Sequence, residues 1–419
     1  MKRTTKTLRL AAIVSASALT LAACGGGDSS DDKDKDVAKG NGELVIGSLL
    51  PQTGSLAFLG PPEFAGVDLA VKEINEAGGV NGKDVKSVKG DSGDADSGIA
   101  PAETDKLIKA GSDVIVGAAS SGVSMTVIDK IQSAGVVMFS PANTSTAFDE
   151  KPYDGADLYF RTAPSDVLQG AVVSNLLVKD ERANVALLAR QDSYGETLAA
   201  EIKKGLEAAG SKVSVTSFYG EKAASFDAQV DEVAASKPDA IVLIAFDETK
   251  KIIPQLVAKN VGPQDVPTYF VDGNTADYST ESFKAELKGV KGTIPGAEAP
   301  EEFRKRLLEV DPKLTDFSYA GESYDAVVVS ALAAIAAGDD SGEAVASEIV
   351  NVTKGGEKCT TFKDCAALLK DGKDIDYDGV SGPIELGATG SPTAASIGIN
   401  LYGADGKFKP VEFIPGTIE

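Results

Sequence analysis

The chain has no histidine and no tryptophan, and only three cysteines in 419 residues. Without histidine, the commonest general base and the commonest zinc ligand are both missing. Positive charge is scarce too: 41 Lys and Arg stand against 63 Asp and Glu, a formal charge of −22. That balance argues against nucleic acid or anionic lipid as a partner surface and says nothing about fold. Long apolar runs are lacking beyond the N-terminal segment, so no transmembrane helix is expected there. No P-loop and no GxGxxG behind a strand occurs, so nucleotide chemistry has no support.

What is present begins with an export signal over residues 1–23. Lys2, Arg3, Lys6 and Arg9 form a positive start, and residues 10–21 an apolar stretch too short for a stable membrane anchor. Leu21-Ala22-Ala23-Cys24 has the small residues that precede signal cleavage and resembles the bacterial lipobox, in which the cysteine is lipidated. The other reading is ordinary cleavage beside an incidental cysteine. Residues 25–42 contain almost no large apolar side chain and are expected to stay flexible as a solvated tether. Removing a signal with four positive charges leaves the mature chain at −26. The rest is expected to work outside the cytoplasm, held near a membrane that it does not cross.

Cys359 and Cys365, in KCTTFKDC, have no other thiol or imidazole partner. Outside the cytoplasm such a pair is most simply a small disulfide-closed loop, contributing about 2–3 kcal/mol at most. From Glu43 onward there is enough chain for two domains. Short β-branched runs (ELVIGSLL at 43–50, DVIVGA, VVMFSP, NVALLAR, KVSVTSFY, AIVLIAF, PTYFV) alternate with helical patterns at 61–79, 125–133, 195–209 and 249–259. That alternation predicts an α/β fold of parallel sheets covered by helices, with ligands at the carboxyl edges of the strands. The series pauses at ADLYFRTAPSD (156–166), read as passage from a first lobe to a second. The tail differs: DYDGVSGPIEL and ASIGINLYG read as two strands returning to sheets made earlier.

Two motifs carry less than they promise. Gly90-Asp91-Ser92-Gly93 matches the nucleophile signature of trypsin-like serine proteases, but no histidine exists to serve the serine, so it reads as a turn after a strand. Asp374, Asp376, Asp378, Gly379 and Glu385 fit the calcium-loop spacing. Pro383 stands where the exiting helix should begin and Ser381 replaces an apolar residue, so the context argues against calcium, and no metal is assigned. Strand ends are better candidates. Ser120 and Ser121 after DVIVG, and Ala142 to Thr144 after VVMFS, place small polar groups where a helix start could hold an anion. Phe246, Asp272 and Tyr194 stand at strand ends in the second half, and an acid there could hold an ammonium group. Taken singly, each of these is as readily a cap or a turn.

IGSLLPQTGSLAFLG, AVKEINEAGGVNG, PANTSTAF, DSYGE and GVSGPI, in this order and spacing, resemble the branched-chain amino-acid class of extracytoplasmic solute-binding proteins that serve ABC importers. The resemblance covers almost the whole mature chain. It implies the type I periplasmic binding fold: two Rossmann-like lobes, 43–161 with 295–387 and 162–294 with 388–419, joined by three crossover segments. It further implies that Ser121 and Thr144, with the Ala142 backbone, hold a ligand carboxylate. Asp272 would hold its ammonium, Tyr194 and Phe246 would close over it, and Leu59 and Tyr324 would lie near its side chain. Phe246 stands where the leucine-binding branch usually has tyrosine, which bears on ligand identity. The implied protein is a monomeric, lipid-anchored, non-enzymatic binder without cofactor, on the outer face of a bacterial membrane, delivering a small aliphatic amino acid to a permease and ATPase. An amide, urea or aromatic acid as ligand, or a sensing role without transport, are the alternatives.

Overall fold

The computed structural model describes residues 40–150, 152–153 and 158–418. The export signal, Cys24 and residues 25–39 of the expected tether lie outside the described residues. The tether's last residues depart from expectation. The Gly40 N–H donates to Asp339, and the Gly42 and Glu43 N–H groups donate to the two Asp340 oxygens at 2.7 and 2.9 Å. Residues 40–42 are therefore pinned, because two acids at the end of a late helix supply the acceptors that glycine-rich backbone needs.

Alternating apolar residues build a first sheet from β1 (Val45–Leu50), β2 (Lys86–Asp91), β3 (Val114–Gly117), β4 (Val137–Ser140) and β5 (Tyr159–Arg161), all parallel, in the order β2-β1-β3-β4-β5. Successive side chains point to opposite faces. Ile46, Val114, Val116 and Phe139 therefore enter one core, and Leu49, Ile115 and Met138 the other. The helices α1 (Gly60–Glu76), α2 (Ile99–Lys109) and α3 (Ser121–Ser133) follow β1, β2 and β3 in turn. Strand β2 is missed by apolar patterning because it is an edge, KSVKGD, with only Gly90 buried. At its end Asp91 accepts from the Gln52, Thr53 and Gly93 N–H groups, so GDSG is a turn.

The second sheet takes β6 (Asn184–Arg190), β7 (Lys212–Tyr219), β8 (Ala240–Ile244), β9 (Thr268–Phe270) and β10 (Lys291–Pro295) as parallel strands. They are covered by α4 (Asp166–Lys179), α5 (Ser193–Ala208), α6 (Asp227–Ser236) and α7 (Thr249–Ala258). The helices α8 (Glu301–Val310), α9 (Ala320–Ala337), α10 (Gly342–Ile349) and α11 (Phe362–Lys370) return to the first core. With them goes a small sheet of β11 (Glu357–Cys359), β12 (Ile375–Gly379) and β13 (Gly382–Pro383). Finally β14 (Ala394–Tyr402) pairs antiparallel with β10, and β15 (Phe408–Thr417) with β14. The chain thus passes three times between the two sheets: after β5, after β10 and before β14.

Sequence reading expected no further run apolar enough to span a membrane, and α9 corrects that. By length and composition alone it meets the test, yet 83% of it is buried, as the core helix packed on α1 and the first sheet. Each fully buried Val or Leu there contributes about 1.5–3 kcal/mol. Cys359 and Cys365 are disulfide-bonded, closing the β11–α11 turn. The calcium-like segment is strand β12: Ile375 and Tyr377 point into the core, while Asp376 and Asp378 face Lys358 at 3.4 and 2.8 Å.

Candidate functional site

Strand ends from both sheets meet at one small cavity of about 10 Å³. That is room for about one water molecule, so any larger ligand requires its walls to part. From the first sheet come Ala119, Ser120 and Ser121 after β3, Ala142 after β4, and Leu56 and Leu59 from the loop between β1 and α1. Facing them are Tyr194 from the first turn of α5, Phe246 after β8, and Asp272 with Gly273 after β9. Tyr319, at the N-cap of α9, completes the wall.

Serine at the start of α3 is placed by helix chemistry. Ser120 has extended backbone and its Oγ accepts from the Val123 N–H, capping the helix. The Ser121 Oγ accepts from the Ser145 N–H at 3.3 Å. The leading N–H groups and positive dipole end of this 13-residue helix therefore head the first-sheet side of the cavity, an arrangement suited to an anion. The Ala142 N–H is already turned to the Ser140 Oγ, at 3.3 Å. The Asn143 amide fastens the two strand-end loops together by donating to the Ala118 and Ala119 carbonyls.

On the opposite side Asp272 is buried and ringed by donors. Its Oδ1 accepts from the Tyr194 hydroxyl at 2.5 Å and the Gln169 Nε2 at 3.0 Å, and its Oδ2 from the Tyr319 hydroxyl at 2.8 Å. Burial raises its carboxyl above the usual range, although those three donors pull it down. Tyr194 and Phe246 stack at 5.4 Å between ring centroids. The Arg190 guanidinium lies 3.7 Å from the centre of the Phe246 ring. Burial works against charge on Arg190, but Asp192 and Glu248, at 2.7 and 2.6 Å, outweigh it and keep it charged. Phe246 thus packs against both a tyrosine ring and a cation.

Of the residues expected at the site, Ser121, Ala142, Tyr194, Phe246, Asp272 and Leu59 line this cavity together. Thr144 does not: it is fully buried one layer beneath, beside Asp166. Tyr324 does not either. Its hydroxyl donates to Glu73 at 2.6 Å and its ring packs edge-on against Phe303, so it belongs to the α1–α9 seam. Tyr319, five residues earlier, takes the place expected of Tyr324, because an N-cap side chain projects past its helix end while position 324 faces α1. Its backbone φ of +58°, unusual for so large a residue, turns the ring to Asp272.

Two polar residues were not foreseen. Gln169 on α4 bridges Asp272 and the Thr293 hydroxyl. Asp166, in the first turn of α4, accepts from the Thr197 hydroxyl at 2.9 Å, while its Oδ1 has no partner among the described residues. Burial and the charge of Asp272 push Asp166 up to about 7. The Thr144 hydroxyl pulls the other way at a geometry short of a formed hydrogen bond.

Residues 43–396 match the periplasmic binding protein family. The chain belongs to that family. Membership makes it a solute-binding protein of the ABC-transporter type and implies an extracytoplasmic location. The chemotactic signal transduction system substrate-binding protein BasB of Halobacterium salinarum is 27% identical over 365 residues, 83% of this chain and 84% of that protein. The leucine-, isoleucine-, valine-, threonine-, and alanine-binding protein of Pseudomonas aeruginosa is 27% identical over 309 residues, 71% of this chain and 80% of its own length. The crystal structure of an R. palustris ABC-transporter solute-binding protein in complex with 4-hydroxybenzoate superposes with a TM-score of 0.72 at 17% identity, covering 89% of this chain and 97% of that one. The type I fold is therefore this chain's own.

Proposed function

We propose that the chain captures a small aliphatic α-amino acid for an ABC importer, by closing two lobes over it, while tethered to the membrane through a lipid on Cys24. One observation carries the reading. A buried acid, Asp272, and the serine-capped start of α3 face each other across a cavity walled by Leu56, Leu59 and Phe246. A zwitterion needs an anion site and a cation site, each worth most when desolvated. In an open cleft both are hydrated, and closure pairs them with the ligand. The ligand therefore shifts the equilibrium by its differential affinity for the closed form. The Pseudomonas relative, named for five neutral amino acids, points to the same solute class.

A second reading keeps the fold and replaces the ligand by an amine-free acid. It is favoured by the three hydrogen bonds that Asp272 already accepts, which leave it satisfied without a cation. A thermal-shift screen of the full chain separates the two, with leucine, valine, alanine, benzoate and 4-hydroxybenzoate as ligands. A true ligand at 100 times its Kd adds about 2.7 kcal/mol, a shift of a few degrees. The amino-acid reading expects leucine, valine or alanine to stabilise; stabilisation by the benzoates alone overturns it.

Asp166 adds a pH dependence. Its folded pKa lies above its unfolded one, so its contribution to the stability of the unliganded protein is complete below about pH 4 and is lost as pH rises through about 7. For an ammonium ligand the sign reverses, because ionised Asp166 adds negative potential beside Asp272. Affinity for the amino acid is expected to rise severalfold between pH 6 and pH 8, and Asp166→Asn to flatten that rise. Titration calorimetry at three pH values checks it.

A further inference from the structure

A cavity of about 490 Å³ beside the three passages between the sheets is touched by all of them: Thr162 and Pro164 after β5, Gly296 and Ala297 after β10, and Pro392 before β14. Prolines, alanines, glycines and Ile384 make most of its wall, Thr162, Ser381, Ser396 and Thr417 add hydroxyls, and its one charged lining residue among the described residues is Glu322. We propose that this cavity is a second binding site, taking a small organic cation with an aliphatic body, whose ammonium pairs with Glu322.

Glu322 sits in the first turn of α9 with 6% of its surface exposed, and its carboxyl lies so close to Gly296 that a Cβ there would come within 2.3 Å of Oε1. Apart from its own backbone N–H, no donor satisfies that carboxyl among the described residues. Such a group is costly to bury unless something pairs with it. Burial pushes it up to about 8, with the Asp325 charge adding and its own N–H opposing. Glu63, in the first turn of α1, lies within electrostatic reach, is fully buried, and has both carboxyl oxygens without a partner. Among the described residues no lysine or arginine lines this cavity, so no cation in its wall pairs with Glu322. Asp325, by contrast, is saturated: it accepts from the Tyr377 hydroxyl, from the Val380 and Ser381 N–H groups, and from the Ser381 hydroxyl. The acid of this space left without a donor beyond its own N–H is therefore Glu322, which burial keeps largely protonated until a cation stands beside it, with Glu63 close enough to interact electrostatically. A cation with an apolar body suits both the acid and the proline, alanine and Ile384 wall, whereas an anion would face Glu322 unfavourably. An occupant would touch all three passages at once and so bear on their bending.

Cyclohexylamine is the probe, with cyclohexanol as its uncharged counterpart, in a thermal-shift titration of the full chain at pH 8. Cyclohexylamine is expected to give a saturable rise in Tm and cyclohexanol none. Glu322→Gln is expected to weaken the amine at least tenfold. Ala297→Phe, which fills the space from an exposed loop and leaves both acids in place, is expected to abolish the rise. Asp272→Asn should leave it intact, which separates this cavity from the amino-acid cleft. An unsaturable response, an equal response to cyclohexanol, or retention of the amine effect in either cavity variant overturns the proposal. So does its loss in Asp272→Asn, which would put the amine in the cleft instead.

Discussion

Asp272→Asn is expected to weaken amino-acid binding at least about 30-fold. Removing one partner from a buried, hydrogen-bonded charge pair costs about 2–5 kcal/mol, and 2 kcal/mol is already about 30-fold in Kd. Asparagine keeps the shape and one acceptor for the Tyr194 and Tyr319 hydroxyls, but it removes the charge that an ammonium requires. The variant should fold, because burial already works against the Asp272 carboxylate and the substitution relieves that cost. Its unliganded Tm should fall no further than that of wild type by a few degrees. Titration calorimetry with the amino acid that stabilises wild type measures the loss. Binding within threefold of wild type would remove Asp272 from the ligand's amine and favour an amine-free acid. Tyr319→Phe provides the complementary test: it frees one Asp272 lone pair for the ammonium, and a modest change of either sign is expected, far short of the Asn variant.

Much of this site could be read from the chain because parallel α/β sheets put ligands at strand ends, and strand ends are visible as apolar runs breaking into small polar residues. DVIVG followed by serines, and AIVLIAF ending at Phe246, are such breaks, and both reach the cavity. Where the pattern is weak the reading fails for a physical reason. Strand β2 is an exposed edge with little to bury, and β15 is another edge whose pattern is mostly exposed. Asp166 and Gln169 lie within a helix whose sequence gives no sign that its buried face looks onto the cleft. Tyr319 and Tyr324 both belong to FSYAGESYD, and only the backbone turn at Tyr319, which no sequence pattern shows, decides which ring leaves the helix end. The apolar run of α9 was likewise hidden, because Glu322 and Asp325 interrupt its start.

Arg161→Met is expected to cost about 3–5 kcal/mol of stability. Arg161 is fully buried at the end of β5, where the chain first leaves one sheet for the other. Its Nη2 donates to both Asp149 oxygens at 2.7 Å, its Nη1 to the Asn143 and Ser145 carbonyls, and its Nε to the Ser391 hydroxyl near the third passage. One guanidinium thus joins the loop after β4, the first passage and the third. Methionine fills similar volume but strands two carbonyls and leaves the partly buried Asp149 with only the Ser165 and Ser391 hydroxyls, so the lost charge partner dominates the cost. Lysine should rescue only part of it, since a single ammonium cannot reproduce the planar fork. Equilibrium urea unfolding gives the numbers, and a loss below 1 kcal/mol would contradict the account. The decisive comparison is Arg161→Met with Asp149→Leu. If the penalty comes from the stranded carboxylate, the double variant is more stable than Arg161→Met alone. If it comes instead from unmade contacts to the 143–145 loop, the second change adds to the loss. In that case the guanidinium acts chiefly by holding the loop that carries Ala142 against the cavity, and ligand affinity should fall in step with stability.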